Sequence, residues 1–386
     1  VNWPDDYINR VICGDCLDVM RGIPDGVVQC CITSPPYWGL RDYGVDGQHG
    51  LESTIDEYVA KMVEIFAEVR RVLRDDGTCW LNLGDSYSGS WGAMSHDIEG
   101  KARRTGTNGR PPQSFGNGGL KPKDLCMIPS RVALALQGDG WYLRSDIIWS
   151  KPNPMPESVT DRPTTAHEHL FLLSKNERYY YDADAIREPA QDWGSRDRTH
   201  WSARVNAESY GQTPHGGCED VNFAERGRNK RTVWTIATSP THYAHFATFP
   251  EKLVEPCILA GTSEKGQCPE CGKPWVRVTT KVETGQTQKM ADGWATHEGG
   301  HGSFHRDGRE AGEAGKPVTA LKTLGWRPDC LCGQVNPVPQ IILDPFVGSG
   351  TTGKRARELG RNYVMIELNP DYCKIAEDRL AQEELF

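Results

Sequence analysis

The chain has 386 residues, 37% of them hydrophobic, and 44 lysines and arginines against 52 aspartates and glutamates give a net charge of −8. That length suits one large α/β domain with insertions, or two domains. No apolar run approaches the roughly 20 residues of a membrane span, residues 1–6 lack the charged-then-apolar pattern of a secretory signal, and an acidic total excludes an obligate nucleic-acid coat; a soluble, cytoplasmic protein is expected.

Strand and helix signals alternate from the start. Residues 10–13 read as a short strand and 27–33 as a buried one that ends at Pro35. From 54 to 74 apolar residues recur at helical spacing, from Ile55 and Tyr58 to Val72 and Leu73. Thr54 and Glu57 have the spacing of a capping box, and Asp76-Gly77 is expected to stop this helix. A strand over 79–83 follows. Residues 87–123 are rich in Gly, Ser, Arg and Pro without periodicity, the mark of a long functional loop. A helix over 130–137 and strands over 142–149 and 169–174 come next, then an irregular polar stretch over 185–238. A helix is expected over 251–259. Residues 261–339 form a Gly-rich insertion with cysteines at both ends. The chain closes with a strand over 340–343, a helix over 353–359, a strand over 363–367 and a helix over 372–383. This alternation implies a mostly parallel, doubly wound α/β sheet.

Two stretches carry chemistry. Near the end an apolar strand runs into Asp344-Pro-Phe-Val-Gly-Ser-Gly-Thr-Thr352 and then a helix. Glycines after a strand let a ligand approach main-chain N–H groups at a helix start, and Glu367, ending the next strand, suits ribose hydroxyls. Residues 348–353 also satisfy the dinucleotide pattern GxGxxG, so the loop alone says only that the cofactor bears adenosine. The second stretch is Thr33-Ser-Pro-Pro-Tyr37, placed where an α/β sheet presents its active edge. An exocyclic amino group on a base is a poor nucleophile because its lone pair is conjugated into the ring. Two acceptors taking both its protons turn that lone pair outward. Ser34 Oγ and the Pro35 carbonyl can be those acceptors, the prolines hold the turn, and Tyr37 can stack on a base drawn from the duplex.

Together the two motifs resemble the amino-methylating DNA methyltransferases, and the order, with the catalytic motif ahead of the cofactor loop, resembles their β-class permutation. Gly14-Asp15, Arg71-Val72-Leu73, Ile148-Trp149-Ser150-Lys151-Pro152 and Phe249-Pro250-Glu251-Lys252-Leu253 are similar to flanking family stretches. The resemblance implies a Rossmann-like fold that takes S-adenosylmethionine as methyl donor. It also implies catalytic roles for Ser34, Pro35, Pro36 and Tyr37. Asp344, Phe346, Gly348, Ser349, Gly350 and Thr351 would bind the methionine part of the cofactor, Glu367 its ribose and Asp15 its adenine end, although Asp15 suits a helix N-cap equally well. Ser at position 34 favours cytosine N4 as target; adenine N6 is the alternative. Asp85, at a strand end, is either a base-positioning or a turn-forming residue. A cytosine-C5 mechanism needs a nucleophilic Cys; Pro256-Cys257 is the nearest candidate, and it reads as helix.

The 13 cysteines, an odd count, fit reduced thiols with one metal site better than a disulfide framework. Cys268-x-x-Cys271 followed by Gly272 resembles half of a zinc ribbon, and Cys330-x-Cys332 can complete a four-thiolate structural zinc site; His297, His301 and His305 are substitute ligands. Two basic clusters, Lys101, Arg103, Arg104 and Arg110, then Arg226, Arg228, Lys230 and Arg231, offer phosphate contacts, with Arg103, Arg104, Arg228 and Lys230 foremost.

The expected organisation is a catalytic half at 1–182, a target-recognition region at 183–245, a cofactor half at 246–261 and 336–386, and a Cys-rich insertion at 262–335. Double-stranded DNA is the implied partner and a membrane is not; a cognate restriction endonuclease is compatible with this reading, and monomer and homodimer both stay open. Three rivals leave more unexplained. A protein-amide methyltransferase more often has Asn where Ser34 stands, a nicotinamide oxidoreductase leaves the Ser-Pro-Pro-Tyr turn without a role, and a non-catalytic zinc-bearing DNA-binding module leaves both motifs idle.

Overall fold

The computed structural model describes residues 2–40, 43–88, 95–96, 102–103, 120–189, 228–238, 249–287 and 317–381. In chain order these give β1 (Arg10–Cys13), α1 (Cys16–Arg21), β2 (Val28–Thr33), α2 (Ile55–Val72), β3 (Leu73–Leu83), a two-stranded ribbon of β4 (Ser95–His96) and β5 (Ala102–Arg103), and α3 (Ile128–Gly138). There follow β6 (Tyr142–Ser150), β7 (His167–Ser174), a 3₁₀ turn (Ala183–Ile186), β8 (Val233–Thr235), α4 (Glu251–Gly261), β9 (Trp275–Thr287) and β10 (Pro317–Pro328). The last elements are β11 (Ile341–Asp344), α5 (Thr351–Glu358), β12 (Asn362–Glu367) and α6 (Pro370–Ala381).

Eight strands form one sheet in the order β1-β12-β11-β2-β3-β7-β6-β8. All neighbouring pairs are parallel except those made by β7, which runs against both β3 and β6. Every residue of β2 is buried, as expected of a central strand covered on both faces. One apolar layer packs α1, α2 and α3 on the sheet, and a second packs α4, α5 and α6. The expected mostly parallel, doubly wound sheet is therefore present.

The strand order locates the working edge. β2 leads through α2 to β3 on one side, whereas β11 leads through α5 to β12 on the other. The order reverses between β2 and β11, and the crevice outside their carboxyl ends is where open α/β sheets bind ligands.

Local signals explain most boundaries. Thr54 Oγ1 accepts from Glu57 N at 3.1 Å while Thr54 N donates to Glu57 Oε2 at 3.3 Å, so the capping box forms. α2 ends at Val72, earlier than Asp76-Gly77, because Leu73 is taken into the sheet opposite Val28 and Val27 N donates to Val72 O. α5 begins two residues ahead of its expected start, directly from Gly350, whose φ is +85°. β8 falls within the stretch expected to be irregular and extends the main sheet. β9 and β10 pair inside the insertion expected to be merely Gly-rich.

Two compact units emerge. The larger comprises Val1–Ile186, Arg231–Val276 and Pro328–Phe386, and the smaller Arg187–Lys230 and Arg277–Arg327. Of the expected 183–245 region, residues 183–186 and 231–245 fall in the larger unit and 187–230 in the smaller, and the two ends of the Cys-rich insertion go with the larger unit. Among the described residues every cysteine is a free thiol, and no helix is long and apolar enough to cross a membrane.

Candidate active site

A buried carboxylate ties the two motifs together. Asp344, at the end of β11, accepts from Thr33 Oγ1 at the end of β2 (2.7 Å), from Thr352 Oγ1 in α5 (2.7 Å) and from Phe346 N (3.1 Å). Burial pushes its carboxyl up to about 6, and the three donors pull the other way. Asp344 sits behind the wall of the cleft and fixes the Ser-Pro-Pro-Tyr turn to the glycine turn; it does not line the cleft.

Both turns line one cleft of about 570 Å³. Ser34, Pro35, Pro36 and Tyr37 form one end with Asn82, Trp149, Lys151 and Glu168. Phe346, Gly348, Ser349, Thr351, Glu367 and Asp15 form the other with His49 and Tyr372. Gly350, like Asp344, is placed just outside it, as the left-handed residue that turns the loop into α5.

At the first end, the Tyr37 ring lies against Gly84, where an added Cβ would sit 2.6 Å from Cε2. Ser34 Oγ donates to the Tyr37 hydroxyl at 3.2 Å, and that hydroxyl donates to Glu168 Oε2 at 2.7 Å, with Asn82 Oδ1 at 3.2 Å. Asn82 Nδ2 donates to His169 O, which points the amide oxygen toward the tyrosine. Lys151 Nζ pairs with the other Glu168 oxygen and stands 4.5 Å from the Trp149 ring centre. Burial and Glu168 push the Tyr37 hydroxyl well above the usual tyrosine range, so it stays protonated. The Pro36 carbonyl accepts from Tyr58 OH of α2 at 3.0 Å, which anchors the turn. Asp85 turns away: its Oδ1 accepts from Ser86 N and from Ile128 N at the start of α3, the turn-forming alternative.

At the second end Glu367 accepts from Gly348 N (2.9 Å) and Asn369 N (3.0 Å), and burial raises its carboxyl. Asp15 caps α1 through Leu17 N and Asp18 N, while its other oxygen lies 3.5 Å from His49 Nε2; it both caps and lines the cleft. Arg379 of α6 donates to Ser349 O, Ser349 Oγ and Thr351 Oγ1 and to Glu251, clamping the glycine turn from behind.

Sequence reasoning named the two motifs, but not Glu168, His49, Tyr372 or Arg379. Glu168 lies in the first two residues of β7, ahead of the strand expected over 169–174. Arg379 looks in sequence like any helix-surface arginine. Lys151 and Trp149 appeared only within a family-like stretch. Cys257, the discarded C5-type candidate, is buried inside α4 with its Sγ on Leu253 O.

The four cysteines also meet. The Sγ atoms of Cys268, Cys271, Cys330 and Cys332 all lie within 4.8 Å of one another. Gly272 and Gly333, each directly after its pair, have φ of +71° and +72°. N–H groups of Cys271 and Glu270 lower the Cys268 thiol to about 7, while Cys271, with burial and the other thiols, raises Cys332 to about 12. His297, His301 and His305 lie outside the described residues. So does Arg104; Arg103 is described only as backbone in β5. Arg228 is held by Glu188 at 3.1 Å within the smaller unit, so its charge is partly met inside the protein, and Lys230 likewise has a partner.

An open, mostly parallel sheet whose switch-point cleft joins a Ser-Pro-Pro-Tyr turn to a glycine turn defines a Rossmann-like methyltransferase. The chain belongs to the N6/N4 amino DNA methyltransferases: the family profile described as DNA methylase matches residues 28–268 and 335–378. It is 40% identical over 372 residues to the Type II methyltransferase M.Cfr9I of Citrobacter freundii, covering 96% of this chain and 87% of that one. With the Type II methyltransferase M.SmaI of Serratia marcescens the identity is 37% over 371 residues, covering 96% and 90%. Among solved structures the PvuII DNA methyltransferase (cytosine-N4-specific) shares the fold with a TM-score of 0.52 at 15% identity, covering 97% of this chain and 88% of that one.

Proposed function

We propose that the protein is a Type II DNA methyltransferase that moves a methyl group from S-adenosylmethionine to the N4 amino group of a cytosine flipped out of duplex DNA. The single supporting observation is the shared cleft: base-binding and cofactor-binding turns face one volume, held together by Asp344. That volume falls within the ~300–1,000 Å³ usual for small-molecule sites. The donor set fits S-adenosylmethionine: Phe346 and Tyr372 offer aromatic surface to a sulfonium cation, and Glu367 and Asp15 offer acceptors for hydroxyl and amino groups.

When bound, the cofactor supplies an electrophilic methyl. The chain's own residues then have three tasks. Ser34 Oγ and the Pro35 carbonyl take hydrogen bonds from the two amino protons and aim the nitrogen's lone pair. Tyr37 offers its ring to the extruded base, and Trp149 closes the same end of the cleft. Ser34 is the ground for preferring cytosine over adenine. Arg103, Arg104, Arg228 and Lys230 contact phosphates, with a cognate restriction endonuclease as functional partner. Reduction of methylated DNA to nucleosides and mass spectrometry tests the reading. N4-methyldeoxycytidine is expected; N6-methyldeoxyadenosine would transfer the activity to the other amino base, and no methylated nucleoside would refute it.

Cys268, Cys271, Cys330 and Cys332 hold a structural zinc ion in the same reading. Zinc–thiolate bonds of about 2.3 Å put sulfurs about 3.8 Å apart in a tetrahedron, and the four sulfurs here all lie within 4.8 Å of one another. Elemental analysis of dialysed protein is expected to find one zinc per chain, lost in Cys268→Ser. Zinc-free, folded wild-type protein would remove the ion from the account.

A further inference from the structure

Methylation of an amino nitrogen releases a proton, and a serine hydroxyl cannot keep it. We infer that Glu168 is the final acceptor of that proton, reached from the base through Ser34 and Tyr37. The inference rests on the amino-methylation reading and adds to it a residue that neither motif contains.

The hydrogen-bond directions carry the inference. Ser34 Oγ–H donates to the Tyr37 oxygen (3.2 Å), and Tyr37 O–H donates to Glu168 Oε2 (2.7 Å). The serine lone pairs are thereby left facing the cleft, ready to accept from the amino group. Every link already points outward from the base to the carboxylate. Asn82, the other group near the tyrosine hydroxyl, is a neutral amide and cannot take a proton. Lys151 pairs with the second Glu168 oxygen and leaves the first to Tyr37.

The step balances. The N–CH₃ bond forms as the donor's S–CH₃ bond breaks, its electron pair staying on sulfur to give a neutral thioether. The methylated nitrogen, now cationic, gives one proton to Ser34 Oγ. Serine passes its own proton to the Tyr37 oxygen, and tyrosine passes its own to Glu168, which ends neutral. Glu168 acts through two other residues and is a positioning and relay group, not one that touches the base. Its charged and titratable surroundings are Tyr37 from the turn after β2, Lys151 after β6, and His167 and His169 beside it on β7, the last paired with Asp146 of β6.

Single-turnover methylation of duplex DNA at saturating cofactor, followed across pH, tests the relay. The wild type should slow toward acid as one group takes up a proton. Glu168→Gln should lose about 100-fold in rate and lose that acid limb, general acid–base groups contributing ~10²–10⁴-fold. Tyr37→Phe, which keeps a stacking ring, should give the same flat profile, and the double variant should be no slower than either single one. Glu168→Asp should restore the acid limb. Thermal midpoints and cofactor affinity close to wild type verify folding of each variant. A Glu168→Gln enzyme that keeps the wild-type rate, or one that slows yet retains the acid limb, overturns the relay, as do additive losses in the double variant. Wild-type transfer in the same assay separates the two readings: if it is present and the variants give one of these overturning results, the relay alone falls; if it is absent, both fall.

Discussion

Replacing Asp344 with Asn tests the joint between the two motifs. The wild-type carboxyl, fully buried, ionises at about 6 in the folded protein against an ordinary 3.8, with burial as the main cause. Between those values the native state binds more protons than the unfolded chain, so stability falls as pH rises. At about 1.36 kcal/mol per pH unit, the group's contribution is present in full below pH 4 and declines by about 3 kcal/mol once the pH has passed 6, roughly half of it above pH 5. The asparagine variant has no such titration, and the two threonine hydroxyls can reorient to meet its amide. Urea denaturation of both proteins at pH 5, 6, 7 and 8 should therefore show wild type losing about 1.5 kcal/mol relative to Asp344→Asn over that span. A difference that stays constant with pH would refute the buried, charge-penalised role. Asp344→Ala, which strands Thr33, Thr352 and Phe346 N without their acceptor, should cost on the order of 3–5 kcal/mol at pH 5 and about 1.5 kcal/mol less at pH 8, because alanine lacks the titration as well.

Three further outcomes are expected. Ser34→Ala should lower the single-turnover rate by about 100-fold while leaving the cofactor dissociation constant within twofold, as read by calorimetry. Gly350→Ala forces a left-handed φ of +85° on a residue whose Cβ would lie 3.2 Å from that of Ala376; it should cost about 1–2 kcal/mol in denaturation and weaken cofactor binding. Arg228→Ala with Lys230→Ala should weaken DNA binding and reduce the slope of log affinity against log salt by about 0.9 for each phosphate that the pair neutralises; an unchanged slope would remove that cluster from the interface.

The parts of the fold legible in sequence were those where one periodicity dominates. α2 announced itself through its apolar face and its capping box, and β2 through an unbroken buried run. Thr33–Tyr37 and Asp344–Thr352 could be paired as one site only because open α/β sheets bind at strand ends; nothing local in either stretch places them side by side. β8 escaped notice because three residues carry no period, and β9 because its alternating valines and threonines sit in a Gly-rich setting. Glu168 and Arg379 were illegible for another reason. Their roles come from which side chains the sheet order and α6 bring beside them, and charge on a strand or helix is ordinarily solvated. Nothing in the sequence shows that Asp344, expected to bind the methionine part of the cofactor, also accepts from Thr33, Thr352 and Phe346 N, because those bonds depend on β2 and α5 lying beside β11.

The most direct measurement is a crystal structure with S-adenosylhomocysteine and duplex DNA bearing the enzyme's own site. The account predicts an extruded base against Tyr37, its amino nitrogen on Ser34 Oγ and the Pro35 carbonyl, and the thioether sulfur over the 348–351 turn in the same cleft. A base stacked within the helix, or bound away from Ser34 while the cofactor occupies the glycine turn, would contradict it.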